Sequence, residues 1–141
     1  ALTLRHKQLS GTISPHVGNL SFMRFIQLGE NQFHGGIPQE FIRLLRLRVL
    51  NLSSNALGGK IPENLSHCAE MIAIDLTSNK LERKTTIYQL SNLKKLKGLY
   101  FTKSNLTGEI PSPIGILSSS LIGLGLDFNN LEGICLWRWG F

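Results

Sequence analysis

Few residues in this 141-residue chain could carry out catalysis or bind a metal ion. The candidates are four histidines, two aspartates and two cysteines: His6, His16, His34, His67, Asp75, Asp127, Cys68 and Cys135. A catalytic or metal site requires such side chains to converge in space, and these follow no common motif. We therefore expect no enzyme activity, no metal site and no cofactor. Two cysteines are too few for a disulfide framework, and Cys68 is expected to be a buried thiol.

A repeat organises nearly the whole sequence. Its anchor is a large apolar residue that recurs at a nearly constant interval, at Leu4, Leu28, Leu52, Leu76, Phe101 and Leu126. A fixed period in this range is typical of a solenoid, in which each repeat packs on its neighbours. The predicted array covers residues 1–134 and is followed by a non-repeat tail, 135–141. Its predicted repeats are 1–22, 23–46, 47–70, 71–95, 96–120 and 121–134.

Alternating residues in each repeat predict a short β-strand. In Leu50-Asn51-Leu52 both leucines are expected to point inward and Asn51 outward. The fold class is thus predicted to be an α/β-type repeat solenoid. It would be a right-handed coil with a parallel sheet on its concave side and a mostly irregular or 3-10 convex side. In this fold the histidines fall at different repeat positions, and Asp75 and Asp127 lie two strands, roughly 10 Å, apart, so neither set forms a site.

A second set of residues is expected to turn the chain away from each strand. Amide side chains can satisfy backbone groups that a buried turn would leave without partners, and we predict this role for Asn31, Asn55, Asn79 and Asn129. Lys7 and Ser104 replace the amide in two repeats and can supply only part of its hydrogen bonding. Glycines suit backbone positions with positive φ and occur at Gly35, Gly59, Gly108 and Gly133. Prolines suit the extended segment that crosses the convex side and occur at Pro38, Pro62 and Pro111.

A Gly-x-Ile-Pro motif recurs after the strands. It reads Gly35-Gly36-Ile37-Pro38, Gly59-Lys60-Ile61-Pro62 and Gly108-Glu109-Ile110-Pro111. In the spacing LxxLxLxxNxLxGxIP it resembles the plant-specific extracellular leucine-rich repeats, as found in ectodomains of receptor-like Ser/Thr kinases. The resemblance implies an extracellular array that binds a peptide or protein ligand, a microbial pattern or a co-receptor, with a membrane span and a cytoplasmic kinase beyond it. The chain itself has no Gly-rich phosphate loop and no His-Arg-Asp loop.

Two segments depart from this pattern. Residues 81–86 read Leu-Glu-Arg-Lys-Thr-Thr where Gly-x-Ile-Pro is expected, which predicts an irregular outer side for the fourth repeat. The tail contains three aromatic residues in five positions, Trp137 to Phe141, and would expose apolar surface. We therefore expect an excerpt of a longer receptor or a truncated gene product, attached to a membrane only through a span outside these residues.

Four Asn-x-Ser/Thr sequons are possible glycan acceptors in a secreted protein. They begin at Asn19, Asn51, Asn64 and Asn105. Asn19 and Asn64 are favoured because the repeat places them on the flank or outer side. Asn51 would carry its glycan on the concave face, and Asn105 follows the turn position.

The concave face is the default binding surface of a solenoid. Its outward residues form a first column, Thr3, Gln27, Asn51, Asp75, Tyr100 and Gly125, and a second, Arg5, Gly29, Ser53, Thr77, Thr102 and Asp127. The predicted ligand-binding residues are Arg5, Phe25, Gln27, Asn51, Asp75, Thr77, Tyr100, Thr102 and Asp127. Six such strands project a face of roughly 350 Å², whereas a standard interface takes about 800 Å² from each partner. The chain is therefore expected to be part of a binding surface.

The net charge of +6 is spread over separate groups of lysines and arginines without interleaved aromatic residues, which does not indicate nucleic-acid binding. The resemblance favours a segment of a receptor-like kinase at the extracellular side of the plasma membrane, acting in defence or development. Alternatives are a soluble, apoplastic inhibitor of secreted cell-wall-degrading enzymes, a cytoplasmic immune-sensor domain, and a non-functional fragment.

Overall fold

The structure is a computed structural model that describes residues 1–82, 87–109 and 119–132. Within these ranges each repeat contributes one strand to a main sheet, and the first four repeats return along the opposite side of the coil. Several predictions from the sequence concern positions outside the described residues, namely part of the irregular segment (83–86), Ile110, Pro111, Gly133, Cys135 and the tail 135–141.

The main sheet contains six parallel strands in the described part of the chain, in the order β1-β3-β5-β7-β8-β10. Their bounds are β1 (Leu2–Thr3), β3 (Phe25–Gln27), β5 (Val49–Asn51), β7 (Ala73–Asp75), β8 (Gly98–Tyr100) and β10 (Gly123–Gly125). Leu50 pairs with Ile74, and Ile74 pairs with Leu99, so each residue pairs with its equivalent in the next repeat. The repeat period therefore sets the register, and the predicted parallel sheet is confirmed.

Short strands also follow the turns and form further parallel ladders that the sequence analysis missed. One ladder joins β2 (Ser10–Thr12), β4 (Gln32–Gly36) and β6 (Ala56–Gly58), and another joins β9 (Thr107–Glu109) and β11 (Asn130–Glu132). Between these ladders, Lys80 and Glu82 still donate their backbone N–H groups to Leu57 and Gly59 (2.8 and 2.9 Å). The fourth repeat thus follows β6 without forming a described strand of its own.

The convex side is built from 3-10 helices, as predicted. They are η1 (Pro15–Asn19), η2 (Gln39–Arg43), η3 (Glu63–His67) and η4 (Ile87–Asn92). Pro15 is the first residue of η1, where its fixed φ suits the first turn and its missing N–H is not needed. Pro38 and Pro62 directly precede η2 and η3 in extended geometry. Helices η1, η2 and η3 each end when the next residue, Leu20, Leu44 or Cys68, leaves helical geometry and donates its N–H three residues back.

One apolar core runs through the stack. It consists of the inward side chains of the main sheet, the turns and the 3-10 helices, including the fully buried Leu50, Ile74, Leu99, Phe41 and Leu65. Cys68 lies in this core, and burial raises the pKa of its thiol to about 11, which keeps the thiol neutral. The anchor Leu4 is 39% exposed, unlike its buried equivalents Leu28 and Leu52, since β1 has a neighbouring strand on one side only.

Gly18 lets η1 approach η2 closely. A Cβ at Gly18 would lie 2.5 Å from the Cβ and 2.7 Å from the carbonyl carbon of Glu40. We expect Gly18→Ala to lower the free energy of unfolding by about 1–3 kcal/mol, because the helices must move apart. Urea unfolding followed by circular dichroism measures this. Gly36→Ala is the matched control, because its Cβ would meet nothing within 4 Å; equal losses in the two variants would contradict this account of the contact.

Candidate functional site

The register of the main sheet places the first column in one continuous row. Thr3, Gln27, Asn51, Asp75, Tyr100 and Gly125 pair in sequence across the six strands. Phe25 stands beside this row on β3, 37% exposed. Arg5, Thr77, Thr102 and Asp127 each lie two residues after a strand and form a parallel row. The structure therefore brings the predicted ligand-binding residues to one surface, called here the concave face. Their role in binding remains a prediction.

Arg5 is engaged within the chain. Its guanidinium group donates to the carboxylate of Glu30, and the other carboxylate oxygen lies 3.1 Å from Nδ1 of His6. Hydrogen bonds from Arg5 and then from His6 lower the pKa of Glu30. This exposed ion pair stabilises the fold when the pH is above the ordinary glutamate pKa. The stabilisation is lost as the pH falls through the lowered pKa of Glu30. A ligand that uses Arg5 must therefore compete with Glu30.

Two polar side chains in the middle of the first column are held by their own strands. Oδ1 of Asn51 accepts from the backbone N–H and the hydroxyl of Ser53, at 3.0 and 2.7 Å. Oδ1 of Asp75 accepts from the backbone N–H of Thr77 at 3.0 Å. These bonds leave the amide nitrogen of Asn51 and the second carboxylate oxygen of Asp75 available on the concave face. They orient both groups before any ligand arrives.

Tyr100 lies flat on the sheet because its neighbours are glycines. A Cβ at Gly98 would lie 2.8 Å from Cε2 of the ring, one at Gly123 would lie 2.9 Å from Cζ, and one at Gly125 would lie 3.2 Å from Cδ1. A side chain at any of these positions would therefore crowd the ring. We call Tyr100 and these three glycines the tyrosine floor. The sequence analysis singled out Tyr100 but missed the role of the glycines, whose signal was their alignment between neighbouring repeats.

The asparagines predicted for the turns form a ladder along one edge of the main sheet. Asn79 donates to the carbonyls of Leu52 and Leu76, both at 3.0 Å, and accepts from the N–H of Leu57 at 3.0 Å. Asn31, Asn55 and Asn129 make equivalent bonds. In the fifth repeat the hydroxyl of Ser104 donates to the carbonyl of Leu76 at 2.7 Å. Each asparagine thus ties its own turn to the preceding repeat.

The residue before each ladder position has left-handed backbone geometry, which the sequence analysis did not predict. Its φ lies between 53° and 56° at His6, Glu30, Ser54, Ser78, Lys103 and Phe128. Non-glycine residues adopt this region rarely and at some cost. The same geometry precedes Lys7 and Ser104, so it is a property of the turn and does not require an asparagine. Positive φ values also occur at Gly35, Gly59 and Gly108, as predicted.

The sequons differ in their surroundings. Asn19 on η1 and Asn64 on η3 lie on the convex side, and Oδ1 of Asn19 accepts from Arg43 at 3.3 Å. Asn51 lies within β5 on the concave face, and Nδ2 of Asn105 donates to the carbonyl of Leu81 at 3.1 Å. A glycan on Asn51 would cover the predicted binding surface, whereas glycans on Asn19 and Asn64 would not.

The described residues show neither a metal-binding group nor a membrane-spanning helix. Among them, no three His, Cys, Asp or Glu side chains cluster in a way that could hold a metal ion. No helix in the same ranges has the length and apolar character needed to cross a bilayer.

Comparison with known proteins places this geometry in a family. The leucine-rich repeat family model matches residues 46–68. The structure is similar to the leucine-rich repeat ectodomain of the receptor kinase SOBIR1 from Arabidopsis thaliana, with a TM-score of 0.85 and 33% sequence identity over 94% of this chain and 72% of that one. The chain belongs to the leucine-rich repeat ectodomains of plant receptor kinases. This membership accounts for the constant repeat period and the 3-10 convex side.

Two longer members of the family are also similar to this chain. The Arabidopsis receptor kinase HAESA, solved in complex with the peptide hormone IDA and the co-receptor SERK1, is 33% identical with a TM-score of 0.85 over 92% of this chain and 22% of that one. The LRR receptor-like serine/threonine-protein kinase EFR of Arabidopsis thaliana is 48% identical over 46 residues, 33% of this chain. The chain spans only 4% of the length of EFR.

Proposed function

We propose that this chain is part of the ligand-recognition surface of a plant cell-surface receptor-like kinase, and that its concave face binds a peptide or protein ligand. The observation that carries the proposal is an uncovered row of outward side chains on the main sheet, from Gln27 to Tyr100. Along the strands of the main sheet the inward residues Ile26, Leu50 and Ile74 are fully buried. The outward residues of the row are half-buried at Gln27, Asn51 and Asp75 and exposed at Tyr100, so this face is accessible to a partner.

The relatives support the class of ligand and the location. HAESA was solved with a peptide hormone and a co-receptor, and EFR is a receptor-like serine/threonine kinase. By analogy, we propose an extracellular array that binds a peptide for defence or developmental signalling, meets a co-receptor, and signals through a kinase domain elsewhere in the protein. The analogy concerns whole receptors, of which this chain corresponds to a small part.

We also propose that Asn19 and Asn64 carry the N-linked glycans of the secreted protein. Both lie on the convex 3-10 helices, so glycans there would leave the concave face free. Peptide mapping of the secreted chain before and after enzymatic glycan removal checks this assignment. Occupancy of Asn51 instead would argue against ligand binding through the concave face.

A matched pair of variants tests the proposed face. The chain is immobilised and used to select from a displayed library of random peptides, and the selected peptides are then measured against Asn51→Arg and Asn64→Arg. Both changes replace an asparagine and remove a sequon, but Asn51 lies on the concave face and Asn64 on the convex side. We expect Asn64→Arg to retain the selected peptides and Asn51→Arg to bind them at least roughly tenfold more weakly, because the new side chain blocks the face. Failure to select any peptide, or equal binding by the two folded variants, would refute the proposal.

A further inference from the structure

The tyrosine floor differs from the rest of the concave face in shape. Tyr100 is 39% exposed, and its ring rests across Gly98 and Gly123 with its open side toward solvent. Because no side chain projects from these glycines or from Gly125, a ligand can approach the ring closely along the sheet. The tyrosine floor therefore suits a flat ligand group that stacks on the ring, and it forms no pocket for a bulky group.

Two carboxylates flank the floor. Asp75 pairs in register with Tyr100, and Asp127 lies two residues beyond Gly125, which pairs with Tyr100 from the other side. Neither forms an ion pair with any described residue, although the chain carries 15 lysines and arginines against nine acids. Glu30, the other acid described on this face, is paired with Arg5.

We infer that the tyrosine floor is a subsite for an arginine side chain of the ligand, with the guanidinium group stacked on Tyr100. This inference rests on the proposed function, because it assigns one residue of the proposed peptide. A cation over an aromatic face is attracted by the negative charge of the ring's π-system. Asp75 and Asp127 lie on the strands on either side of Tyr100 and add negative charge that favours a cation over a neutral group.

The floor favours arginine over lysine for geometric reasons. A guanidinium group is planar and can stack on Tyr100 while its edge N–H groups stay free to bond other groups of the ligand or solvent, whereas an ammonium group cannot present a flat face.

The test uses capped tripeptides and the whole chain. Acetyl-Gly-Arg-Gly-amide is titrated into the chain and followed by NMR shifts of the Gly98, Gly123 and Gly125 amides. Identical titrations use tripeptides with lysine or with citrulline, which keeps the planar shape without the charge. We expect the arginine peptide to shift the floor amides and the citrulline peptide to bind roughly tenfold more weakly. Equal binding of citrulline or lysine would overturn the inference.

Variants separate the subsite from general effects of charge. Tyr100→Leu and Asp75→Asn should each weaken binding of the arginine peptide severalfold, while Tyr100→Phe, which keeps the ring, should retain it. Glu63→Gln is the control, because it removes an exposed acid from η3 on the convex side. If the arginine peptide shifts no floor amide while the library still yields peptides that depend on Asn51, the inference is wrong and the proposed function stands. If the library yields nothing, the proposed function fails and this inference with it.

Discussion

Asn79→Ala is expected to destabilise the chain by about 3–5 kcal/mol, because it removes a buried ladder amide. Asn79 is 6% exposed, donates to the carbonyls of Leu52 and Leu76, and accepts from the N–H of Leu57. Alanine would leave these backbone groups without that partner inside the stack, where water cannot easily replace it. Urea unfolding followed by circular dichroism measures the loss.

Two further variants show whether the loss comes from the hydrogen bonds. Asn79→Ser keeps one hydroxyl donor, as Ser104 does in the fifth repeat, and should give an intermediate loss. Asn130→Ala changes an exposed asparagine on β11 and should alter stability by less than about 0.5 kcal/mol. A small effect of Asn79→Ala, close to that of Asn130→Ala, would show that the ladder does not hold the repeats together.

Phe41→Ala should cost about 3–5 kcal/mol, because it empties a large volume of the core. Phe41 is fully buried on η2, and its backbone carbonyl accepts from the thiol of Cys68 at 3.5 Å. Helix η2 therefore lies where one repeat contacts the next, so emptying the core beneath it should loosen two repeats at once.

Phe22→Ala is the matched control for Phe41→Ala, since Phe22 is 63% exposed. We expect it to change the free energy of unfolding by less than about 0.5 kcal/mol. The same urea titration measures both variants. Similar losses at the two positions would contradict the placement of η2 on the core.

The sequence predicted the main sheet well because the repeat period is itself a structural constraint. Each strand must pair with the strand one period away, so the spacing of Ile26, Leu50 and Ile74 fixes the register. The same spacing determines which side chains point outward, and hence the row from Gln27 to Tyr100. The slightly longer interval between Ile74 and Leu99 can also be read from the order of the residues alone.

Other features depend on contacts that a single repeat does not show. The ladders of β2, β4, β6, β9 and β11 arise because backbone segments after the turn align between repeats, and their residues carry no strong strand pattern. The left-handed geometry at Ser54 and Ser78 also occurs at His6 and Lys103, which no asparagine follows, so it belongs to the shared turn and is not signalled by the residue types.

The candidate site was predictable in position but not in its details. The repeat spacing places Arg5 close to Glu30, but the ion pair between them depends on side-chain conformation. The tyrosine floor depends on the absence of side chains at Gly98, Gly123 and Gly125, which belong to two repeats. These glycines can be recognised as part of the site only once the position of the Tyr100 ring above them is known.

The most direct test of the central claim is to find which face a selected peptide touches. A photo-crosslinking amino acid is placed at Gln27 on the concave face or at Glu63 on the convex side, and each folded variant is irradiated with peptides selected on the unmodified chain. Gln27 is half-buried in β3 and Glu63 is exposed on η3. We expect a crosslinked product from position 27 and none from position 63. A product from position 63 alone would place the binding surface on the convex side and contradict the account.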